Sequence, residues 1–128
     1  VSMSLAVTSV YAAALALMYV LLAAFVVRQR VKYKVGLGDK NQPQLLKAIR
    51  IHGNFAEYVP FLLVLLALLE ARDFGLWQLH LIGGLTLAGR VLHMLGLLQS
   101  SGTSIARLVG MILTLAALII AALLLLVG

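Results

Sequence analysis

AIRIHGNFAEYVP, residues 48–60, runs directly into the apolar FLLVLLALL of residues 61–69, yet it carries an arginine, a histidine, an asparagine and a glutamate. How this polar stretch is read decides the fold. Of the 128 residues, 63% are hydrophobic and only 11% charged, well below the roughly 25% charge of an ordinary soluble domain. The chain therefore reads as a membrane protein, with residues 48–60 inside a span. A hydrocarbon core of about 30 Å needs about 20 helical residues, and four stretches meet that length: residues 4–27, 43–69, 76–98 and 103–127. The short connections make consecutive helices antiparallel neighbours. The expectation is one all-α domain over residues 1–128, an integral membrane four-helix bundle of up-down topology.

The first apolar stretch reads as a span and not as a cleaved signal. It has no basic leading region, exceeds the length of a signal core, and turns directly into RQRVKYK at residues 28–34. With no cysteine in the chain, any thiol chemistry has to arrive with a ligand. The first loop holds Arg28, Arg30, Lys32, Lys34 and Lys40 against Asp39, whereas the second holds Arg72 beside Glu70 and Asp73. By the positive-inside rule the first and third loops are cytoplasmic and both termini lie outside. These lysines serve topology and attraction to anionic membrane lipid; no nucleic-acid partner is expected. Arg28 and Arg30 sit at the membrane boundary, where a side chain can turn inward.

Local signals agree with these limits. GLGDKNQPQ, residues 36–44, gathers turn formers and a proline suited to the first turn of the second helix. Trp77 suits the outer aromatic belt, and QSSGTS, residues 99–104, offers several helix caps.

At about 100° per residue, Lys47, Arg50, Asn54, Glu57 and Phe61 fall on one stripe of the second helix. Gly53 at its edge permits close approach, and Pro60 deprives the Ala56 carbonyl of its donor. Thr86, Arg90, His93 and Leu97 share a face of the third helix, and Ser104, Arg107, Met111 and Thr114 a face of the fourth. Two accounts stay open for these groups. Glu57 and Arg90 can form a structural ion pair with Asn54 and Thr86 as interhelical partners. Alternatively, the excess of guanidinium groups serves an anionic guest, because a charge at mid-span costs about 2.5–3.5 kcal/mol on insertion scales. His52 faces away from the stripe and His80 lies near the outer boundary, so each reads as a packing or interface residue. Widely placed histidines without HExxH or a carboxylate cluster predict no metal site.

RIHGNFAEYVP resembles the second-helix signature of the MAPEG family, the membrane-associated proteins in eicosanoid and glutathione metabolism. The shared pattern is Arg50, Asn54 four residues on, Glu57 three further, then the aromatic Tyr58 and Pro60. VRQRVK, GRVLHMLG and the SIAR that enters the fourth helix extend the resemblance over nearly the whole chain, and the short loops favour the bacterial branch and hence a bacterial inner membrane. The resemblance implies a homotrimer binding glutathione between subunits on the cytoplasmic side. Arg50 would take a glutathione carboxylate, Asn54 the peptide and Glu57 the ammonium. Arg28 or Arg30 would reach a neighbour's cleft, and Arg90 and His93 would line it. A transferase or peroxidase of this kind stabilises the glutathione thiolate for attack on a lipophilic electrophile or lipid hydroperoxide; Arg107 is the candidate cation and Ser104 a candidate hydrogen-bond donor to the sulfur. An arginine at the cytoplasmic end of a helix can equally snorkel to headgroups. Leu97 stands where the synthases tend to place a cleft tyrosine and His93 where some place another, so a weaker clamp is expected. The family also includes a lipid-binding member that performs no transfer, and a non-catalytic lipid binder is the alternative reading.

Overall fold

The computed structural model describes residues 4–99 and 104–128. Four helices make up its regular structure: α1 (Ala6–Tyr33), α2 (Pro43–Ala71), α3 (Leu76–Gln99) and α4 (Ile105–Val127). Each is long and apolar enough to cross a membrane; the shortest, α4 with 23 residues, covers about 34 Å at 1.5 Å per residue. The protein is an all-α membrane four-helix bundle.

Three helices keep their expected limits to within about a turn, and α1 does not. It continues past Val27 through Arg28 to Tyr33, because Arg, Gln and Lys leave the membrane core without leaving the helix, being good helix formers. It stops where Lys34 adopts a left-handed φ of 57°. The Val35 N–H then donates to the Arg30 carbonyl at 3.0 Å and the Lys34 N–H to Val31 at 3.4 Å, a Schellman ending that buries Val35. The following loop turns on Gly38, Lys40 and Asn41, all of positive φ, and Pro43 opens α2 as the sequence indicates. Ser104 caps α4 by accepting the Arg107 N–H at 3.1 Å. The other candidate caps, residues 100–103, lie outside the described residues.

The central pair is α2 and α3; α1 packs on both, α4 packs on both, and α1 and α4 do not meet among the described residues. One apolar cluster joins Leu15, Leu22, Ile51, Phe55, Val59 and Leu97, and a second joins Leu66, Leu69, Leu79, Ile82 and Ala121. The closest seam is between α3 and α4, where a Cβ built on Gly96 would lie 2.5 Å from the Arg107 backbone nitrogen and one on Gly110 would lie 2.5 Å from that of His93. Small residues let these backbones touch, as helices in lipid require when packing replaces the hydrophobic effect.

Charged side chains fasten the end of the bundle opposite the basic loop. Glu70 accepts the backbone N–H groups of Val7 at 2.8 Å and Thr8 at 2.7 Å, filling orphan donors at the positive end of α1. Arg72 donates to the Leu125 carbonyl in the last turn of α4 at 2.9 Å. The sequence reading used both residues only to count loop charge. Nearby, the Tyr11 hydroxyl is 2.9 Å from His80 Nδ1, so His80 is tied to α1. His52 stacks on Tyr19 with ring centroids 4.8 Å apart, on the α1 side of α2.

Candidate functional site

The α2 stripe is where periodicity puts it, and it faces outward from the bundle. Arg50 and Glu57 form an ion pair at 3.5 Å with their side chains 51% and 56% exposed, and Phe61, a turn further on, is 62% exposed. Lys47 and Asn54 are half-buried beside them. Glu57 lies about 21 Å along the helix from Pro43, close to the middle of the span. Gly53 leaves the pair room: a Cβ there would already be 3.4 Å from Arg50 Nη1.

Behind the stripe lies Arg90, with 1% of its surface exposed. Its Nη2 donates to Asn54 Oδ1 at 2.6 Å and to His93 Nδ1 at 3.3 Å, and its Nη1 points at Met111 Sδ at 3.9 Å. Phe55 presents its ring 6.0 Å from the guanidinium carbon. One side chain of α3 thus engages α2 and α4. The ion pair weighed between Glu57 and Arg90 is not formed among the described residues; Glu57 takes Arg50 instead. Asn54 is the interhelical partner, whereas the Thr86 hydroxyl bonds back to Ile82 in its own helix at 2.8 Å. Thr86, Arg90, His93 and Leu97 are all buried, as their shared face requires.

Towards the basic-loop end, α2, α3 and α4 enclose a pocket of about 170 Å³ lined by Pro43, Leu46, Lys47, Arg50, Leu97 and Arg107. A second, also about 170 Å³, is lined by Ser104, Arg107, Leu108 and Met111, so Arg107 borders both. The pocket gathers three cationic side chains, a wall suited to carboxylates or a thiolate. Arg30 is engaged elsewhere, its Nη1 donating to the carbonyls of Gly38 at 2.9 Å and Val35 at 3.3 Å. Arg28 is exposed at the end of α1 and Tyr58 is half-buried beside Glu57. Within one chain the structure therefore brings together Lys47, Arg50, Asn54, Glu57, Arg90, His93 and Arg107, and leaves Arg28 and Arg30 at the end of α1.

The family model described as "MAPEG family" matches residues 8–127. The chain belongs to the MAPEG family. Among relatives, the inner membrane protein YecN of Escherichia coli strain K12 is 40% identical over 90 residues, which are 70% of this chain and 69% of that protein. The protein of the same name from Escherichia coli O6:H1 strain CFT073 matches to the same extent. No solved structure matches at a significant level. This MAPEG protein is thus an integral membrane protein.

Two features of the MAPEG site escaped the sequence reading. One is Lys47, which periodicity puts on the stripe without pointing to a role and which lines the cationic pocket beside Arg50. The other is the α3 and α4 seam; Gly89, which faces Gly110, and Gly96, two turns on and facing Arg107, carry the small-residue signal that marks such contacts.

Proposed function

We propose that this protein is a glutathione-dependent membrane transferase or peroxidase, working as a homotrimer in the inner membrane with its first and third loops cytoplasmic. The observation that carries the reading is the ion pair of Arg50 and Glu57, half exposed near mid-span and adjoining the pocket of Lys47, Arg50 and Arg107. Lipid cannot solvate such a face. A neighbouring subunit and a charged ligand cover it. Glutathione matches the site's chemistry, offering two carboxylates to the cations, an ammonium to Glu57 and a thiol near Arg107. The relative's description as an inner membrane protein supports the location.

In the transferase reaction Arg107 stabilises the thiolate, and Ser104 Oγ, which accepts from the Arg107 N–H, keeps its own hydrogen for the sulfur. The thiol proton leaves to solvent, a carbon–sulfur bond forms at the electrophile, and its leaving group departs. With a lipid hydroperoxide, two glutathiones become the disulfide while the hydroperoxide becomes an alcohol and water.

A second reading has its own observation. Between α1 and α2, on the side away from the charged stripe, lies an apolar cavity of about 300 Å³ lined by residues including Leu15, Tyr19, Phe55, Val59 and Pro60. It suits a lipid-binding protein that performs no transfer. Titrating glutathione into the detergent-solubilised protein, then assaying turnover with a chloronitrobenzene acceptor, separates the two. Saturable binding with conjugate formation is expected; absence of binding removes the glutathione reading, and binding without turnover on this acceptor or a lipid hydroperoxide removes the enzyme. Light scattering in mild detergent is expected to give a trimer, and a stable monomer with unchanged affinity would sink the shared cleft.

A further inference from the structure

The side chain whose placement the proposed function leaves unexplained is Arg90. At 1% exposure it is too deeply buried to reach a ligand, and no carboxylate pairs with it among the described residues. Its Nε is buried without a hydrogen-bond partner. Such a group is costly inside a membrane bundle, and its position points to what it does to its neighbours.

A guanidinium can only donate. The group that faces Nη2 at 2.6 Å must therefore be the oxygen of the Asn54 amide, and this turns the amide nitrogen the other way. Among the described residues the Asn54 side chain bonds through Oδ1 and its nitrogen makes no hydrogen bond, on a half-buried side chain of the outward stripe. The same argument applies at His93. Nδ1, 3.3 Å from Nη2, must accept, which puts the proton of the neutral ring on Nε2.

We infer that Arg90 is the positioning residue of the site: by donating to Asn54 Oδ1 and His93 Nδ1 it locks Asn54 with its N–H groups outward, so the site accepts a carbonyl or carboxylate there and rejects an amine. The lock follows from geometry alone; that the acceptor belongs to glutathione rests on the proposed function. It also divides the ligand's polarity along α2. Acceptors bind at Asn54, and the ligand's ammonium is left to Glu57, one turn further on.

The test reads orientation first, without ligand. The chain has two asparagines, Asn41 and Asn54, and three histidines, so isotope labelling of asparagine and histidine nitrogens gives spectra that Asn54→Ser and His93→Gln assign. In the solubilised wild type His93 is expected as the Nε2–H tautomer alone. In Arg90→Lys, which keeps the charge without the planar fork, the Asn54 amide signals are expected to move and the His93 tautomer to become mixed. Finding the Nδ1–H tautomer in the wild type overturns the inference even if the variant fails to fold, and so do Asn54 signals unchanged in a folded Arg90→Lys.

Glutathione is then added to both proteins. The Asn54 amide pair is expected to shift while Asn41 stays, and affinity in Arg90→Lys to fall about ten-fold or more, the worth of a hydrogen bond to a charged group. Saturation that leaves the Asn54 pair unmoved overturns the inference and leaves the proposed function standing. If glutathione does not bind the wild type, the proposed function falls and the ligand-free spectra decide the inference.

Discussion

Substituting Gly110 by alanine tests the α3 and α4 seam on which the site depends. A Cβ at Gly110 would lie 2.5 Å from the His93 nitrogen, 2.6 Å from the Gly89 carbonyl oxygen and 2.9 Å from the His93 Cα. All three are backbone atoms, so no rotamer change relieves the clash. Restoring ordinary contact at about 3.5 Å requires the helices to part locally by about 1 Å, and overpacking of this kind costs about 1–3 kcal/mol. Alanine also gains about 1 kcal/mol over glycine in a helix, which would blur a single measurement. Gly84→Ala is the control: it lies in the neighbouring α3 with nothing within 4 Å of a built Cβ, and takes the helix gain without the clash. The two variants should therefore differ by about 1–3 kcal/mol in unfolding titrations in mixed micelles, Gly110→Ala being the weaker. Gly110 is also one turn beyond Arg107, so a shift of about 1 Å moves the guanidinium and, under the proposed function, turnover should fall well below that of Gly84→Ala. Equal stability and equal turnover would show that α3 and α4 are not in backbone contact here.

Three further outcomes follow from the same geometry. Under the proposed function Glu57→Gln should weaken glutathione binding about ten-fold or more, whereas Arg107→Leu should largely keep binding and lose turnover with the thiolate absorbance; wild-type turnover and an intact thiolate band in Arg107→Leu would make Arg107 a headgroup anchor. Glu70→Ala strands the Val7 and Thr8 N–H groups and should lower stability by about 1–2 kcal/mol, with faster amide exchange confined to the start of α1; exchange unchanged at Val7 and Thr8 would refute the cap. In a variant carrying Lys40→Cys the thiol should be protected from an impermeant reagent in intact cells, and labelling would place the first loop outside.

The spans were legible because hydropathy over some 20 residues is a long-range average that single charges do not disturb. The end of α1 was not, because the usual glycine is missing from its stop: Lys34 takes the left-handed position and the helix runs on through residues the bilayer excludes but the helix accepts. Periodicity placed Lys47, Arg50, Asn54, Glu57 and Phe61 on one stripe, yet could not say which charges would pair. Arg50 and Glu57 are seven residues apart, two turns of the helix, and long side chains bridge that gap. Whether Arg90 meets Glu57 or Asn54 depends on how far α3 is rotated and shifted against α2, which is set by the glycine contacts with α4 and not by the sequence of either helix alone. The role of Glu70 was hidden for a similar reason, since a cap supplied from 62 residues away has no local signature.

The partner exchange open to Arg50 and Glu57 bears on which ligand the site favours. Within the bundle these two neutralise each other at 3.5 Å, while Lys47 and Arg107 add positive charge at the adjoining pocket and Arg90 adds more behind it. An anionic lipid could satisfy those cations, but pairing its headgroup with Arg50 would strip Glu57 of its partner near mid-span, at a cost of a few kcal/mol. A ligand that carries an ammonium beside a carboxylate can enter between the two residues and give each a new partner, so no charge is bared as it binds. Its remaining carboxylate and a thiolate then meet the surplus cations. Under the proposed function the pairing therefore suits a γ-glutamyl end better than a simple anion, and a glutathione analogue lacking only the amino group should lose affinity in the wild type but little more in Glu57→Gln; equal losses in both proteins would mean that Glu57 does not receive the ammonium.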